Sequence, residues 1–180
     1  AVGVPVEFFS REELQDNPVT NMRGFGTYPF PAGCWSDDTS MTLAALDSLA
    51  KGSIDFDEIM INFGKWYYKD EFTPTGEMFD VGNTCSLAID NYFVNHLPIG
   101  KCGLSNERSN GNGSLMRIIP FALFLEYAIG DIPFQEKIHY IHEASALTHA
   151  HERCKIACGI YFIVLREILS NPCKESIHLA

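Results

Sequence analysis

Four short strings in this 180-residue chain carry side chains able to do chemistry. The densest is Trp35-Ser36-Asp37-Asp38-Thr39-Ser40-Met41-Thr42. A serine followed by two acids is what a helix start asks for on its own, since the hydroxyl can accept a first-turn N–H and the acids complement the dipole. The same residues also spell a cation site. Two carboxylates pointing the same way repel by about 4 kcal/mol at roughly 4 Å and an effective dielectric of about 20, so holding them together takes a cation or a raised pKa. A hydroxyl and two carboxylates are hard oxygen donors, the set that suits Mg2+, Ca2+ or Mn2+ rather than Zn2+.

The second string is Asn110-Gly111-Asn112-Gly113-Ser114, directly before an apolar run. Its glycines let backbone N–H groups face a ligand, and a helix start favours an anion, although a plain polar turn with a cap would be written the same way. It has neither the Lys of a phosphate loop nor the G-x-G-x-x-G spacing of a dinucleotide fingerprint. The third string is Thr148-His149-Ala150-His151. Residues two apart on a helix face different ways, so we read one histidine lining a polar pocket and one at the surface rather than a transition-metal pair. The fourth, Phe79-Asp80-Val81-Gly82-Asn83-Thr84, sets an acid and a turn ahead of a helix with Thr84 as its cap.

These strings need elements to position them, and the 3.6-residue period supplies helices. One runs from Ser36 with Met41, Ala45 and Leu49 on its inner face and stops at Gly52. A second starts at the capping-box spelling Asp55-x-x-Glu58, with Ile54 and Ile59 as a hydrophobic staple before Phe63, Trp66 and Tyr67. A third spans about 84–95 with Leu87, Ala88 and Tyr92 on one face. A fourth covers about 114–127, where Pro120 must kink or divide it. A fifth begins near Asp131-Ile132-Pro133 and carries Phe134, Ile138 and Ile141. The last, about 151–169, buries Ile156, Ile160 and Val164 and stops before Asn171-Pro172. No segment alternates with period 2, so the expected fold is all-α, with long connections at 8–35, 70–83 and 97–113. Connections of that length in a small domain are usually functional.

Composition narrows the class further. Lys plus Arg is 13 and Asp plus Glu is 23, a net charge of −10, with 46% hydrophobic residues. That is a globular composition, and an acidic chain without a basic run is a poor phosphate-contact binder of nucleic acid. The apolar runs at 118–129 and 160–169 are interrupted by Pro120 and Glu126, and by Arg166 and Glu167, whereas a membrane span needs about 20 apolar residues. The start shows no basic n-region or cleavage pattern. Six Cys without C-x-x-C spacing suit reduced thiols, with Cys154 and Cys158 a buried pair on one helix. We therefore expect a cytoplasmic protein.

Taken in order, Gly3-Val4-Pro5-Val6-Glu7-Phe8, W-S-D-D-T-S-M-T at 35–42, F-D-V-G-N-T at 79–84, N-G-N-G-S-L-M-R at 110–117 and T-H at 148–149 resemble the ADP-ribosylglycohydrolases. This is the group that includes the dinitrogenase reductase-activating glycohydrolase, and the resemblance covers about residues 1–165. It implies an all-α, compact orthogonal multi-helix domain with two divalent cations, Mg2+ or Mn2+, beneath an ADP-ribose cleft. The metal ligands it implies are Ser36, Asp37, Asp38 and Glu7. Glu7 would lie at or gate the metal centre and move a proton, and Asp80 matches an acid near the reacting ribose. Asn110, Gly111, Asn112, Gly113 and Ser114 would wall the ribose and phosphates, and His149 would line the ADP-ribose pocket.

The activity implied is metal-dependent hydrolysis of the N- or O-glycosidic bond that links ADP-ribose to a protein side chain or a small conjugate. Such a reaction passes through an oxocarbenium-like state and needs an activated water. The implied partner is an ADP-ribosylated protein or ADP-ribose conjugate, met by a monomer with neither nucleic acid nor membrane involved. A non-catalytic, crystallin-like or ADP-ribose-binding member of the fold, or an inactive fragment, is the alternative. Two departures stand out. The family's Gly-Asp before the first string is absent ahead of Ala1, and no later string matches its second metal-binding D-x-D-T, since Asp55-Phe56-Asp57 lies too early. We therefore expect one domain over 1–180 that lacks the family's N-terminal start and C-terminal metal-binding portion, ending at His178-Leu179-Ala180 with apolar faces left uncovered.

Overall fold

The computed structural model describes residues 2–173, so the readings on Ala1 and on His178-Leu179-Ala180 lie outside it. Among the described residues the chain forms seven helices: α1 (Arg11–Asp16), α2 (Asp37–Leu49), α3 (Phe56–Lys69), α4 (Asn83–Phe93), α5 (Ile119–Tyr127), α6 (Phe134–Ala146) and α7 (Glu152–Ser170). Short 3-10 turns at Val4–Val6, Ile99–Lys101 and Leu115–Arg117 join them. No strand forms among these residues, only an isolated bridge between Leu104 and His149. The fold is all-α, as the periodicity predicts. No helix in the described residues is long and apolar enough to cross a membrane.

The core grows from helix faces that are small enough to approach and large enough to fill. Met41, Ala44, Ala45 and Leu49 of α2 pack on Ile59, Met60, Phe63 and Trp66 of α3, and α2 also packs on α5. Helix α5 reads Ile-Pro-Phe-Ala-Leu-Phe-Leu-Glu-Tyr, and its Phe121, Ala122 and Leu125 are fully buried. Proline lacks an N–H and its φ suits a first helical turn, so Pro120 starts α5 and forces the residues before it into the separate Leu115–Arg117 turn. The expected division at Pro120 is what the fold shows.

Five sequence expectations need correction. Asp55 caps α3 by accepting from Glu58 N at 3.0 Å, but the Glu58 carboxylate does not reach back. It bonds Ser48 and Lys51 instead, tying α3 to the end of α2. Thr84 does not cap α4, whose cap position is Gly82. On that helix Cys85, Ala88 and Ile89 turn inward while Leu87 is 51% exposed. On α7 the buried face is Cys154, Cys158, Gly159 and Phe162, whereas Ile156 and Ile160 are 53% and 57% exposed. Finally, the 8–35 connection contains α1. Its Ser10 hydroxyl accepts from Glu13 N while Glu13 accepts from Ser10 N, a complete capping box readable as S-x-x-E.

Candidate active site

One wall of the site is the start of α2. Ser36 occupies the cap position, yet its side chain makes no capping bond, and the hydroxyl is left beside Asp37 in a buried position. Asp37 Oδ1 accepts from Asp38 N at 3.0 Å, and Thr42 Oγ1 donates to Asp38 O at 2.8 Å. The segment leading in is held by Trp35, whose Nε1 donates to Phe72 O at 3.2 Å. Helix physics thus brings the acids to the first turn, and the hydroxyl is kept free of the backbone.

The opposite wall comes from irregular chain. The Val4–Val6 turn, with Pro5 buried, lies on the 24–28 loop: Thr27 N donates to Pro5 O at 3.0 Å and Thr27 Oγ1 to Glu7 O at 2.6 Å. Gly26 makes this approach possible, since a Cβ there would sit 1.7 Å from Pro5 O. Asp80 is fixed by Tyr28, whose hydroxyl donates to its Oδ1 at 2.8 Å, and the Tyr28 ring packs on Phe79 with centroids 4.9 Å apart. Phe8 and Asp80 both adopt left-handed backbone, φ 67° and 60°, a conformation costing a non-glycine residue roughly 1–2 kcal/mol. Such strain gathers where the surroundings over-determine a side chain's direction.

Glu7, Ser36, Asp37, Asp38, Asp80 and Asn112 share a cavity of about 460 Å3, and no Lys or Arg is among its lining residues. The four acids therefore meet without a Lys or Arg side chain between them. Burial pushes the Asp37 carboxyl up to about 7, with the charges of Asp80 and Asp38 adding to the effect. Asp38 is raised by burial and by Asp80. Glu7 is raised by burial first, then by hydrogen bonding with and the charge of Asp80. Clustered, proton-hungry carboxylates with a hydroxyl beside them fit hard divalent cations by donor chemistry. No group of three or more His, Cys, Asp or Glu among the described residues is drawn close enough to hold a metal by itself. The acids fit as part of a coordination sphere.

Asp37, Gly82, Asn112 and Met116 also line an adjoining cavity of about 160 Å3 that reaches Gly111, Gly113, Cys85 and His149. His149 is 3% exposed, and burial, then the charge of Arg117, lowers its pKa to about 4. Gly113 closes on its ring: a Cβ there would lie 2.6 Å from His149 Cε1 and 3.0 Å from Cys85 Sγ. Gly113→Ala is accordingly expected to cost about 1–3 kcal/mol by overpacking and to displace the imidazole. Urea unfolding and the His149 side-chain resonances would register both, and an unshifted midpoint with unmoved resonances would refute it.

The remaining residues singled out in the sequence are distributed around this centre. Asn110 is exposed and lines a separate cavity with Arg153 and Cys154. Ser114 is buried, its hydroxyl 2.9 Å from Ser145 Oγ and 3.5 Å from Cys158 Sγ, so it braces the loop from inside. His151 caps α7, accepting from Arg153 N at 3.1 Å. Cys154 and Cys158 are buried and unbridged. Tyr28, Arg117 and Thr148 escaped the sequence reading as partners of the site. Tyr28 reaches Asp80 across 52 residues and Arg117 reaches Thr148 across 31, and no local spacing announces either pairing, whereas Thr148 adjoins His149 in the chain.

With the geometry in hand, comparison with known proteins is informative. A family model described as ADP-ribosylglycohydrolase matches residues 1–179. The chain is 28% identical over 176 residues to the ADP-ribosylarginine hydrolase Tri1 of Pseudomonas putida (strain GB-1), covering 97% of this chain and 45% of that protein. It is 26% identical over 176 residues to the ADP-ribosylarginine hydrolase Tri1 of Serratia proteamaculans (strain 568), with the same coverage. The chain thus spans less than half the length of these curated relatives. A solved structure described as an ADP-ribosylglycohydrolase-related protein complex superposes with a TM-score of 0.70 at 27% identity, over 88% of this chain and 48% of that one.

Proposed function

The chain belongs to the ADP-ribosylglycohydrolase family, and from that premise we propose that it carries out, or contributes the larger share of a site for, metal-dependent hydrolysis of the glycosidic bond joining ADP-ribose to a protein side chain. The observation that carries this reading is the meeting of Glu7, Asp37, Asp38 and Asp80 at one cavity with no basic residue in its lining. The names of the relatives favour an arginine acceptor and hence an N-glycosidic bond. Ser36, Asp37, Asp38 and Glu7 would hold two divalent cations, Mg2+ or Mn2+, with Asp80 facing them. When bound, such ions supply a water of lowered pKa and offset the charge of a pyrophosphate.

The chain's own residues do the rest. Burial first, then hydrogen bonding with and the charge of Asp80, raise Glu7, which makes Glu7 the group poised to give or take a proton at the anomeric centre. The Tyr28 hydroxyl keeps Asp80 Oδ1 occupied and so fixes which oxygen faces the cavity. A surplus of carboxylate charge stabilises a ribosyl group as it becomes oxocarbenium-like. Asn112, on the wall shared by the two cavities, would orient the ribose, with Gly111 and Gly113 allowing close approach of the ligand. On this reading the protein is a cytoplasmic monomer acting on ADP-ribosylated proteins, away from membranes and nucleic acid, in keeping with its net charge of −10.

A second reading, an ADP-ribose-binding member without turnover, is favoured by the lack of a group of three close metal-holding residues among those described. Release of ADP-ribose from an ADP-ribosylated arginine peptide, with Mg2+ or Mn2+ against EDTA, separates the two. The hydrolase reading expects cation-dependent release that falls about 100-fold or more in Asp38→Asn. ADP-ribose binding by calorimetry with no release would establish the second reading, and neither binding nor release would refute both.

A further inference from the structure

Arg117 is fully buried and makes no ion pair among the described residues. Its Nη2 donates to Ala144 O at 3.1 Å and to Thr148 Oγ1 at 2.9 Å, its Cζ stands 4.7 Å from the Phe63 ring centroid, and its Nε and Nη1 have no hydrogen-bond partner. A buried guanidinium with only neutral acceptors is an expensive arrangement. Its one side-chain hydrogen-bond partner, Thr148, leads onward to the site. Thr148 Oγ1 lies 2.8 Å from His149 Nδ1.

We propose that Arg117 and Thr148 are positioning residues that set the tautomer of His149, so that the imidazole accepts at Nδ1 and offers Nε2–H as a hydrogen-bond donor to a ligand oxygen at the loop-lined cavity. Only the direction of the first bond, Arg117 to Thr148, is forced by chemistry, since a hydroxyl oxygen has two lone pairs and could also accept Nδ1–H; the second is the one proposed. A guanidinium can only donate, so Thr148 Oγ1 accepts from Arg117 and keeps its own proton to give. Its near acceptor is His149 Nδ1. The other group in reach, Cys85 Sγ, is a buried thiol and a weak acceptor. A neutral imidazole that accepts at Nδ1 carries its proton at Nε2, and the positive charge of Arg117 opposes a second proton.

The backbone that carries the ring is held on both sides. His149 N donates to Ser145 O at 2.8 Å, and the bridge to Leu104 is closed by Leu104 N to Thr148 O at 3.0 Å and Ala150 N to Leu104 O at 2.9 Å. Gly113 presses on the far edge, where a Cβ would stand 3.1 Å from Nε2. Nε2 therefore faces the Gly111–Gly113 loop in the cavity that also holds Asp37, Asn112 and Cys85. The identity of the ligand oxygen, one belonging to ADP-ribose, rests on the function proposed above, whereas the tautomer does not.

Long-range 1H–15N correlation of the imidazoles in the 15N-labelled, ligand-free chain tests the tautomer directly. The expected spectrum shows His149 with Nε2 protonated and Nδ1 bare. Thr148→Ser should preserve it, while Thr148→Val should shift His149 toward a mixture with the Nδ1–H form and weaken ADP-ribose binding by about 5- to 10-fold, one hydrogen bond's worth. A protonated Nδ1 in the unsubstituted chain would overturn the proposal without recourse to any variant, and so would a His149 pattern untouched by Thr148→Val. If ADP-ribose fails to bind while the Nε2–H pattern holds, the ligand reading falls and the positioning device stands.

Discussion

Asp37→Asn is expected to stabilise the cation-free chain at pH 8 by about 2–4 kcal/mol while ending its response to Mg2+ or Mn2+. The Asp37 carboxyl goes from an ordinary 3.8 to about 7 on folding because it is buried among Asp80 and Asp38. The folded chain therefore holds a proton there that the unfolded chain releases, and stability falls as pH rises from about 4 to about 7, levelling above. The stabilisation present at low pH is thus lost through the folded pKa, the reverse of the usual salt-bridged aspartate. Asparagine has no proton to lose and flattens this stretch of the curve. Urea unfolding in EDTA at pH 5 and pH 8 measures the slope. A cation should restore the unsubstituted chain at pH 8 by taking the proton's place, and leave Asp37→Asn unmoved. Equal pH dependence in the two proteins would refute the electrostatic account of this wall.

Gly26→Ala is expected to detach the segment that carries Glu7. The added Cβ would meet backbone, 1.7 Å from Pro5 O and 2.6 Å from Pro5 C, so no side-chain rotation can make room. Relief requires the Val4–Val6 turn to lift, which breaks the bonds from Thr27 N to Pro5 O and from Thr27 Oγ1 to Glu7 O. We expect a loss of about 1–3 kcal/mol in stability and a drop in ADP-ribose release comparable to removing the Glu7 carboxyl. Gly100→Ala, where a Cβ meets nothing within 4 Å, is the control and should be neutral in both measurements. Release at the unsubstituted rate from a Gly26→Ala chain that has lost the expected stability would mean that Glu7 has no part in the reaction.

The helices were legible because their signals are local. Ser36-Asp37-Asp38 and Asp55 start helices, Pro120 divides one, and each acts within a turn of itself. Inner faces were harder. Helix α7 has two apolar stripes, Ile156 with Ile160 and Cys154 with Cys158 and Phe162, and hydropathy favours the isoleucines. Packing chose the other stripe, because Gly159 lets the helix close on His142. The acids of the site were readable as an ordered set of strings, but their arrangement was not. Tyr28 reaches Asp80 across 52 residues and Thr27 reaches Glu7 across 20, and neither pairing leaves a spacing to find. The same holds for Arg117, which looked like the end of a loop motif and instead sits at the centre of the core.

The two walls of the cavity differ in how they are built. Asp37 and Asp38 sit on a helix whose inner face belongs to the main core, while Glu7, Tyr28 and Asp80 hang on loops joined by side-chain hydrogen bonds and aromatic contacts. A backbone shift in the first wall is transmitted to the main core, whereas one in the second stays within the loops that carry it. That asymmetry gives evolution a lever: the chemistry can be inherited unchanged on α2 while the facing loops drift. Divergence in which conjugate is accepted should therefore accumulate at positions around 22–30 and 72–82 other than Gly26, Thr27, Tyr28 and Asp80, and sparing changes there are where a designer seeking a new acceptor should begin.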